Sequence, residues 1–239
     1  MLFRSIPGQD APEPRWKTLH KTKLEPKHIS LLWRLRQGAV TTARQLKHFI
    51  PEVDGSCPVC HAEDEDIRHY FLECPRIQRF WHLVEDFLKR STPSAVTSTS
   101  FKIDIDKVIF GFHAWSGILP NADALHGLAV WEIFRAHTEA SIDNKILTPQ
   151  AMFARWRQTV LLRIIHDFFA SHSHSSSTFQ SCWLNVSTPW FAFEPGGVEQ
   201  PDKLSIALPS FQPTAALHSP REQIFNAGGS RCHHCAQLA

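Results

Sequence analysis

Residues 57–74 read CPVCHAEDEDIRHYFLEC and contain four side chains that can bind one metal ion. Cys57 and Cys60 form a C-x2-C pair, His69 follows after eight residues, and Cys74 follows after four more. A C-x2-C pair can turn back onto a single ion. Three thiolates and one imidazole make up the closed tetrahedral shell that structural zinc prefers. We therefore predict one structural Zn²⁺, bound by Cys57, Cys60, His69 and Cys74.

Alternatives to this ligand set are few. His61 directly follows Cys60, and because adjacent residues do not easily face the same ion, His69 is the preferred imidazole. A pair of buried cysteines beside an unrelated surface histidine is the metal-free alternative. The acidic run at 63–66 is interpreted as a solvated loop between the two half-sites. Catalytic zinc needs an open coordination position, which a fourth protein ligand fills.

A second C-x2-C pair, Cys232 and Cys235, lies near the end of the sequence. No further ligand follows it, so it offers half a site. We expect an unstructured tail there, although the spacing leaves metal binding by this pair open.

Apolar residues at three- and four-residue spacing predict a mainly α-helical fold around the cysteine stretch. Predicted helices cover 28–37, 42–48, 75–90, 122–141 and 149–171. Thr41 or Thr42 is expected to cap the second helix, and Pro75 to be the first residue of the third. The apolar run at 107–112 is compatible with a strand or with a buried turn.

This pattern predicts a small zinc-centred helical module, a second helical segment and a disordered C-terminal tail. A basic, proline-rich lead-in covers 1–25 and the zinc-binding module covers 26–90. A linker at 91–102 leads to the helical region at 103–171. Residues 172–239 are rich in Ser, Pro and Gly without periodicity, so we expect a mostly disordered tail.

The sequence contains neither a run of about 20 apolar residues, as a membrane span requires, nor the apolar core of a signal peptide at its N-terminus. We therefore expect an intracellular protein, nuclear or cytoplasmic, without membrane association. In such a reducing compartment clustered cysteines bind metal more often than they form disulfides.

The net charge of +2 conceals an uneven distribution. Residues 1–50 hold ten Lys or Arg and three acidic residues, whereas residues 51–74 hold seven acidic residues and one Arg. A basic block beside an acidic one is typical of a polyanion-binding arm next to a separately charged module. Two solvated faces of opposite sign explain it equally well.

The order of motifs resembles the zinc-binding domain of reverse transcriptases in non-LTR retrotransposon proteins. The resemblance rests on Pro26-Lys27-His28, Leu32-Trp33-Arg34-Leu35, Thr41-Thr42, Leu46, Cys57-Pro58-Val59-Cys60, Glu65-Asp66, His69-Tyr70-Phe71-Leu72-Glu73-Cys74 and Phe80-Trp81. It implies that Cys57, Cys60, His69 and Cys74 bind the metal. It also implies that the domain binds RNA or target DNA while a polymerase copies RNA into DNA.

Basic side chains on the N-terminal flank are the candidate phosphate contacts: Lys21, Lys23, Lys27, Arg34, Arg36, Arg44 and Lys47. Trp33 could stack on a base or lie in the core. The polymerase's Asp-Asp pair and an endonuclease's Asp/Glu/His set are not found. We therefore expect no enzyme activity, although the parent family that the resemblance implies would be an RNA-directed DNA polymerase. The polymerase would be a partner or an upstream region.

The function predicted from the sequence is thus non-catalytic zinc and nucleic-acid binding, as in the C-terminal part of a retrotransposon reverse transcriptase. The alternative is a protein-interaction adaptor in which zinc is purely structural. Preference for RNA or DNA and the oligomeric state stay open.

Overall fold

The structure is a computed structural model, and it describes residue 19 and the ranges 24–62, 64–92, 101–174, 176–184, 190–194 and 203–208. The predicted mainly α fold is confirmed. Several sequence predictions fall outside these ranges: the contacts of Lys21 and Lys23, residues 93–100 of the predicted linker at 91–102, the tail beyond 208, and the pair Cys232 and Cys235.

Seven α-helices occur in the described part of the chain. They are α1 (Pro26–Arg36), α2 (Ala43–Leu46), α3 (Pro75–Ser91), α4 (Ile105–Phe110), α5 (Ala122–Asp143), α6 (Pro149–His174) and α7 (Ser176–Trp183). A π-helical turn (His69–Glu73) precedes α3, and a 3-10 turn (His113–Trp115) follows α4. None of the helices in these ranges has the length and apolar character of a bilayer span.

Two short strands follow the helices, β1 (Phe191–Glu194) and β2 (Lys203–Ile206). They pair antiparallel, with Phe191 opposite Ile206 and Glu194 opposite Lys203. The strands and helix α7 lie in the segment after residue 171, where the sequence pattern indicated no elements.

Local signals define the predicted helix starts. Thr42 caps α2 in a capping box, since its hydroxyl accepts from the Gln45 N–H and the Gln45 side chain accepts from the Thr42 N–H, both at 3.4 Å. Pro75 is the first residue of α3, where its missing N–H leaves no bond unmade. The sequence therefore identified both starts correctly.

The run at 107–112 is neither a strand nor a simple turn, so this prediction was wrong. Residues 107–110 belong to α4, which begins after Asp104, whose carboxylate accepts from the Lys107 N–H at 3.0 Å. Such a cap favours a helix start. The helix ends at Gly111, whose φ of 104° suits glycine and few other residues.

Aromatic side chains from α3 and α6 form the centre of the core. Phe87 of α3 packs edge-on against Trp156 and Phe153 of α6, with ring centroids 5.3 and 6.0 Å apart. All three are buried. Helix α5 contacts α6, α1 and the π turn. Helices on both sides of residues 91–102 therefore share one core.

Burial of His126 on α5 predicts a pH-dependent stability. Its Nε2 lies 2.8 Å from the Val108 carbonyl oxygen, and burial lowers its pKa to about 4. The unfolded chain, with a pKa of about 6.5, takes up a proton first as the pH falls. The free energy of unfolding is therefore expected to decrease between pH 6.5 and 4, by at most on the order of 3 kcal/mol.

Urea unfolding of the parent and of His126→Gln at several pH values in this window measures the effect. Metal loss in acid affects both proteins, so the difference between their pH dependences isolates His126. Identical pH dependences would contradict the prediction.

Candidate metal centre

The structure brings the four predicted ligands together. One ligand atom from each of Cys57, Cys60, His69 and Cys74 lies within 4.8 Å of every other. Within the group, Cys60 Sγ lies 3.2 Å from His69 Nε2. Cys57 and Cys74 are buried, whereas Cys60 and His69 are partly accessible. The group thus sits at the edge of the core, with one side open toward solvent.

The first half of the site is a tight backbone turn around the C-x2-C pair. The Cys57 N–H donates to the Ala62 carbonyl at 2.9 Å, and the His61 N–H donates to the Cys57 carbonyl at 2.8 Å. His61 has a left-handed backbone with φ of 61°, is exposed, and is not among the grouped ligands. The turn therefore presents both thiols to one point without His61.

The second half is the π turn. Five residues of an ideal α-helix rotate by about 500°, so the side chains of residues 69 and 74 would diverge by about 140°. Here the Cys74 N–H donates to the His69 carbonyl at 2.9 Å, five residues back. π turns are frequent at functional sites. Trp81 links this π turn to α3, because its indole N–H donates to the Phe71 carbonyl at 2.7 Å.

The donor set fits zinc. Zn–S bonds of about 2.3 Å and Zn–N bonds of about 2.0–2.1 Å suit thiolate and imidazole ligands in a tetrahedron. In such a tetrahedron the ligand atoms lie roughly 3.4–3.8 Å apart, and in the present group no two are more than 4.8 Å apart. A hydrogen bond from the Cys57 thiol lowers the pKa of Cys74, and the same bond raises the pKa of Cys57.

The burial of Glu65 contradicts the interpretation of residues 63–66 as a solvated loop. Its side chain is buried, and its Oε2 accepts from the Ala43 N–H at 3.0 Å. Its backbone also pairs with Gly55 and Arg44. Desolvation raises its pKa, but the nearby His137 imidazole and the hydrogen bond from Ala43 outweigh this and hold the pKa below the ordinary value. Glu65 thus joins the metal loop to the start of α2.

His137 of α5 is the second residue that sequence reasoning missed. Its Nε2 lies 3.9 Å from Cys57 Sγ and 3.2 Å from Glu65 Oε1, while its Nδ1 lies 3.2 Å from the Ile133 carbonyl oxygen. The Tyr70 ring stacks on the imidazole with centroids 3.7 Å apart. No local sequence signal connects residues 65 and 137, because only the packing of α5 joins them.

The candidate nucleic-acid contacts differ in how far their side chains are exposed to solvent. Arg44 and Lys47 are exposed at α2. Lys27 is exposed too, paired with Glu25 at 2.7 Å and lying 5.6 Å from the Trp131 ring centroid. Arg34 is half-buried, with its guanidinium 5.6 Å from the Phe134 ring centroid. Arg44 and Lys47 are therefore the most accessible cations among the candidates that the structure describes.

Arg36 is buried, unlike the other candidates. Its Nε donates to the Ile109 carbonyl at 3.2 Å and its Nη2 to the Phe110 carbonyl at 3.1 Å. These carbonyls end α4, where a cation is favourable. A phosphate contact would require Arg36 to break both bonds. Trp33 is 49% exposed and so lies at the surface rather than in the core.

Comparisons with known proteins agree with this geometry. Residues 2–81 match the family described as zinc-binding in reverse transcriptase. No curated protein and no solved structure matches the chain. The matched segment includes all four grouped ligands. It ends at Trp81, whose indole N–H donates to a carbonyl of the π turn. Residues 2–81 therefore form a zinc-binding domain of the kind found in reverse transcriptases.

Proposed function

We propose that this chain is a non-catalytic nucleic-acid-binding protein whose zinc-binding domain orders a basic surface for RNA or DNA. One structural zinc ion would be held by Cys57, Cys60, His69 and Cys74. Four protein ligands leave no open coordination position for a substrate or a reactive water, which favours a structural role.

The observation that carries this proposal is the position of α2 against the metal loop. A Cβ at Gly55 would lie 3.0 Å from Lys47 Cδ and 3.8 Å from Arg44 Cα, so the loop and the helix are in contact. Thr42 and Glu65 hold the start of α2. The metal would thereby support the backbone that presents Arg44 and Lys47, and phosphate contacts from two such cations give a salt-dependent affinity.

Charge reversal at α2 tests the nucleic-acid contact. In Arg44→Glu/Lys47→Glu we expect roughly tenfold or greater loss of affinity for RNA or DNA at about 0.1 M salt. The slope of log K against log salt should become shallower by about 1 for each lost contact. Titration of fluorescent single- and double-stranded RNA and DNA oligonucleotides at several salt concentrations measures both quantities.

The matched control is Lys89→Glu/Arg90→Glu, which makes the same charge change at the exposed C-terminal end of α3. This control is expected to keep most of the affinity. Equal losses of affinity in both variants would mean that overall charge, not the α2 surface, determines binding. If the metal-loaded parent binds none of the four probes, nucleic-acid binding is refuted.

The adaptor alternative is favoured by a different observation. Leu162 and Phe169, seven residues apart on α6, are 56% and 67% exposed. Residues at this spacing share one helix face. Two results together would support the adaptor instead. The metal-loaded parent would bind a protein partner but none of the nucleic acids, and the Leu162→Ser/Phe169→Ser variant would no longer bind that partner.

A further inference from the structure

We propose that Glu65 and His137 are positioning residues of the metal centre, with His137 donating its Nε2–H to the metal-bound Cys57 thiolate and Glu65 orienting the imidazole. This inference rests on the proposed zinc site. It adds a residue from α5, far beyond residue 81, to a centre whose four ligands all lie in the matched domain.

The hydrogen-bonding surroundings of His137 define its orientation. Nδ1 faces the Ile133 carbonyl oxygen at 3.2 Å, one turn back on α5. Nε2 faces two acceptors, the Glu65 carboxylate at 3.2 Å and Cys57 Sγ at 3.9 Å. Tyr70 stacks on one face of the ring, which restricts its rotation. All three facing atoms accept hydrogen bonds, so this arrangement calls for a proton on each ring nitrogen, and the proton on Nε2 then lies between a carboxylate and the sulfur of a metal ligand.

Burial makes this arrangement energetically important. The side chains of Glu65 and His137 are each 2% exposed, and Cys57 is buried. A thiolate shielded from water depends on the protein for hydrogen bonds, and bonds to charged acceptors are stronger than bonds between neutral groups. Partners outside the ligand shell orient metal ligands in this way, and their loss weakens metal binding by about 10–100-fold.

A second metal ion bound by Cys57, Glu65 and His137 is the competing explanation, because their ligand atoms also lie within 4.8 Å of one another. One observation favours the proposed arrangement: the group offers only three ligand atoms, and one of them, Cys57 Sγ, already belongs to the four-ligand group.

Metal competition on the full chain tests the proposal. Zn²⁺ and Co²⁺ affinities are measured against a chromogenic chelator for the parent, His137→Phe and Glu65→Gln. Phenylalanine keeps a ring to stack on Tyr70, and glutamine keeps an oxygen to accept from Ala43. His126→Phe is the matched control, because His126 is also a buried histidine of α5 with a backbone partner, Val108.

We expect His137→Phe and Glu65→Gln to bind either metal about 10–100-fold more weakly, with His126→Phe within about threefold of the parent. In Co²⁺-loaded protein, the thiolate-to-metal charge-transfer band should move to longer wavelength in His137→Phe and stay in place in His126→Phe. A thiolate that loses a hydrogen bond gives up its electron more easily. A purely structural role of His137 would leave this band unchanged.

Three results would overturn the inference. Affinities of both Glu65→Gln and His137→Phe within about threefold of the parent would show that the pair does not act on the centre. A parent that binds two equivalents, with one lost in His137→Phe, would make His137 a ligand. A parent that binds no metal would refute the zinc site itself, an outcome distinct from the other two. Should His137→Phe fail to fold, Glu65→Gln still decides the question.

Discussion

Replacing Cys74 by Ser is expected to release the metal ion and to unfold the segment around residues 51–74. In the described part of 51–66, the buried side chains are those of Cys57, Val59 and Glu65. One small apolar side chain beside two polar or ligating ones cannot order a loop of this length. The metal would therefore supply most of the free energy that holds the segment, as it does in small zinc modules.

The expected effect is large. Structural zinc sites contribute apparent binding free energies of about 10–16 kcal/mol at neutral pH, and a preformed site is absent from the unfolded chain. Loss of the site should extend to the π turn, because Trp81 of α3 bonds to Phe71 within it. Helices α5 and α6 pack on each other and should retain part of their structure.

Metal content by atomic spectrometry, far- and near-UV circular dichroism, and thermal unfolding measure this prediction. Cys182→Ser is the matched control, because Cys182 is a free, partly exposed cysteine outside the grouped ligands. Cys74→Ser should lose about one equivalent of zinc, and Cys182→Ser none. Retention of the near-UV spectrum and thermal midpoint by metal-free protein would contradict a structural role for the metal.

Replacing Arg155 by Met is expected to destabilise the helical core by about 3–5 kcal/mol. Arg155 of α6 joins two carboxylates of α5: its Nε lies 2.7 Å from Glu132 Oε1, and its Nη1 lies 2.7 Å from Glu139 Oε1. The Glu132 side chain is 3% exposed, and desolvation already raises its pKa despite the bonds from Arg155. Without the guanidinium, a carboxylate would stay buried without compensation.

Companion variants separate two quantities: the free-energy cost of leaving Glu132 without Arg155, and the net contribution of the intact ion pair to stability. In Arg155→Met/Glu132→Met the stability should return close to the parent value, since two apolar residues can replace a buried ion pair at little cost. Glu139 is more exposed, so Glu139→Gln should cost about 1 kcal/mol or less. Urea unfolding of all four proteins measures these differences. A loss below about 1 kcal/mol in Arg155→Met would contradict the prediction.

The helices of this protein follow from short-range sequence patterns. Helix α3 was predicted within one residue at its end, because Pro75 begins it and apolar residues recur along one face. Helix α4 was missed, because a six-residue helix shows too little periodicity, and its decisive feature is the Asp104 cap. Buried and exposed tryptophans are likewise not distinguished by pattern: Trp33 is half exposed, whereas Trp156 is buried.

The four candidate metal ligands were identified from the sequence alone. Cys57 and Cys60 are three residues apart and His69 and Cys74 five apart, so chain connectivity keeps each pair close. Whether both pairs converge also depends on the π turn, which the spacing did not predict. Only the tertiary structure decided the surroundings of the centre. Glu65 meets His137 across 72 residues, and Arg36 reaches Ile109 across 73, because these contacts arise from packing rather than from neighbouring sequence.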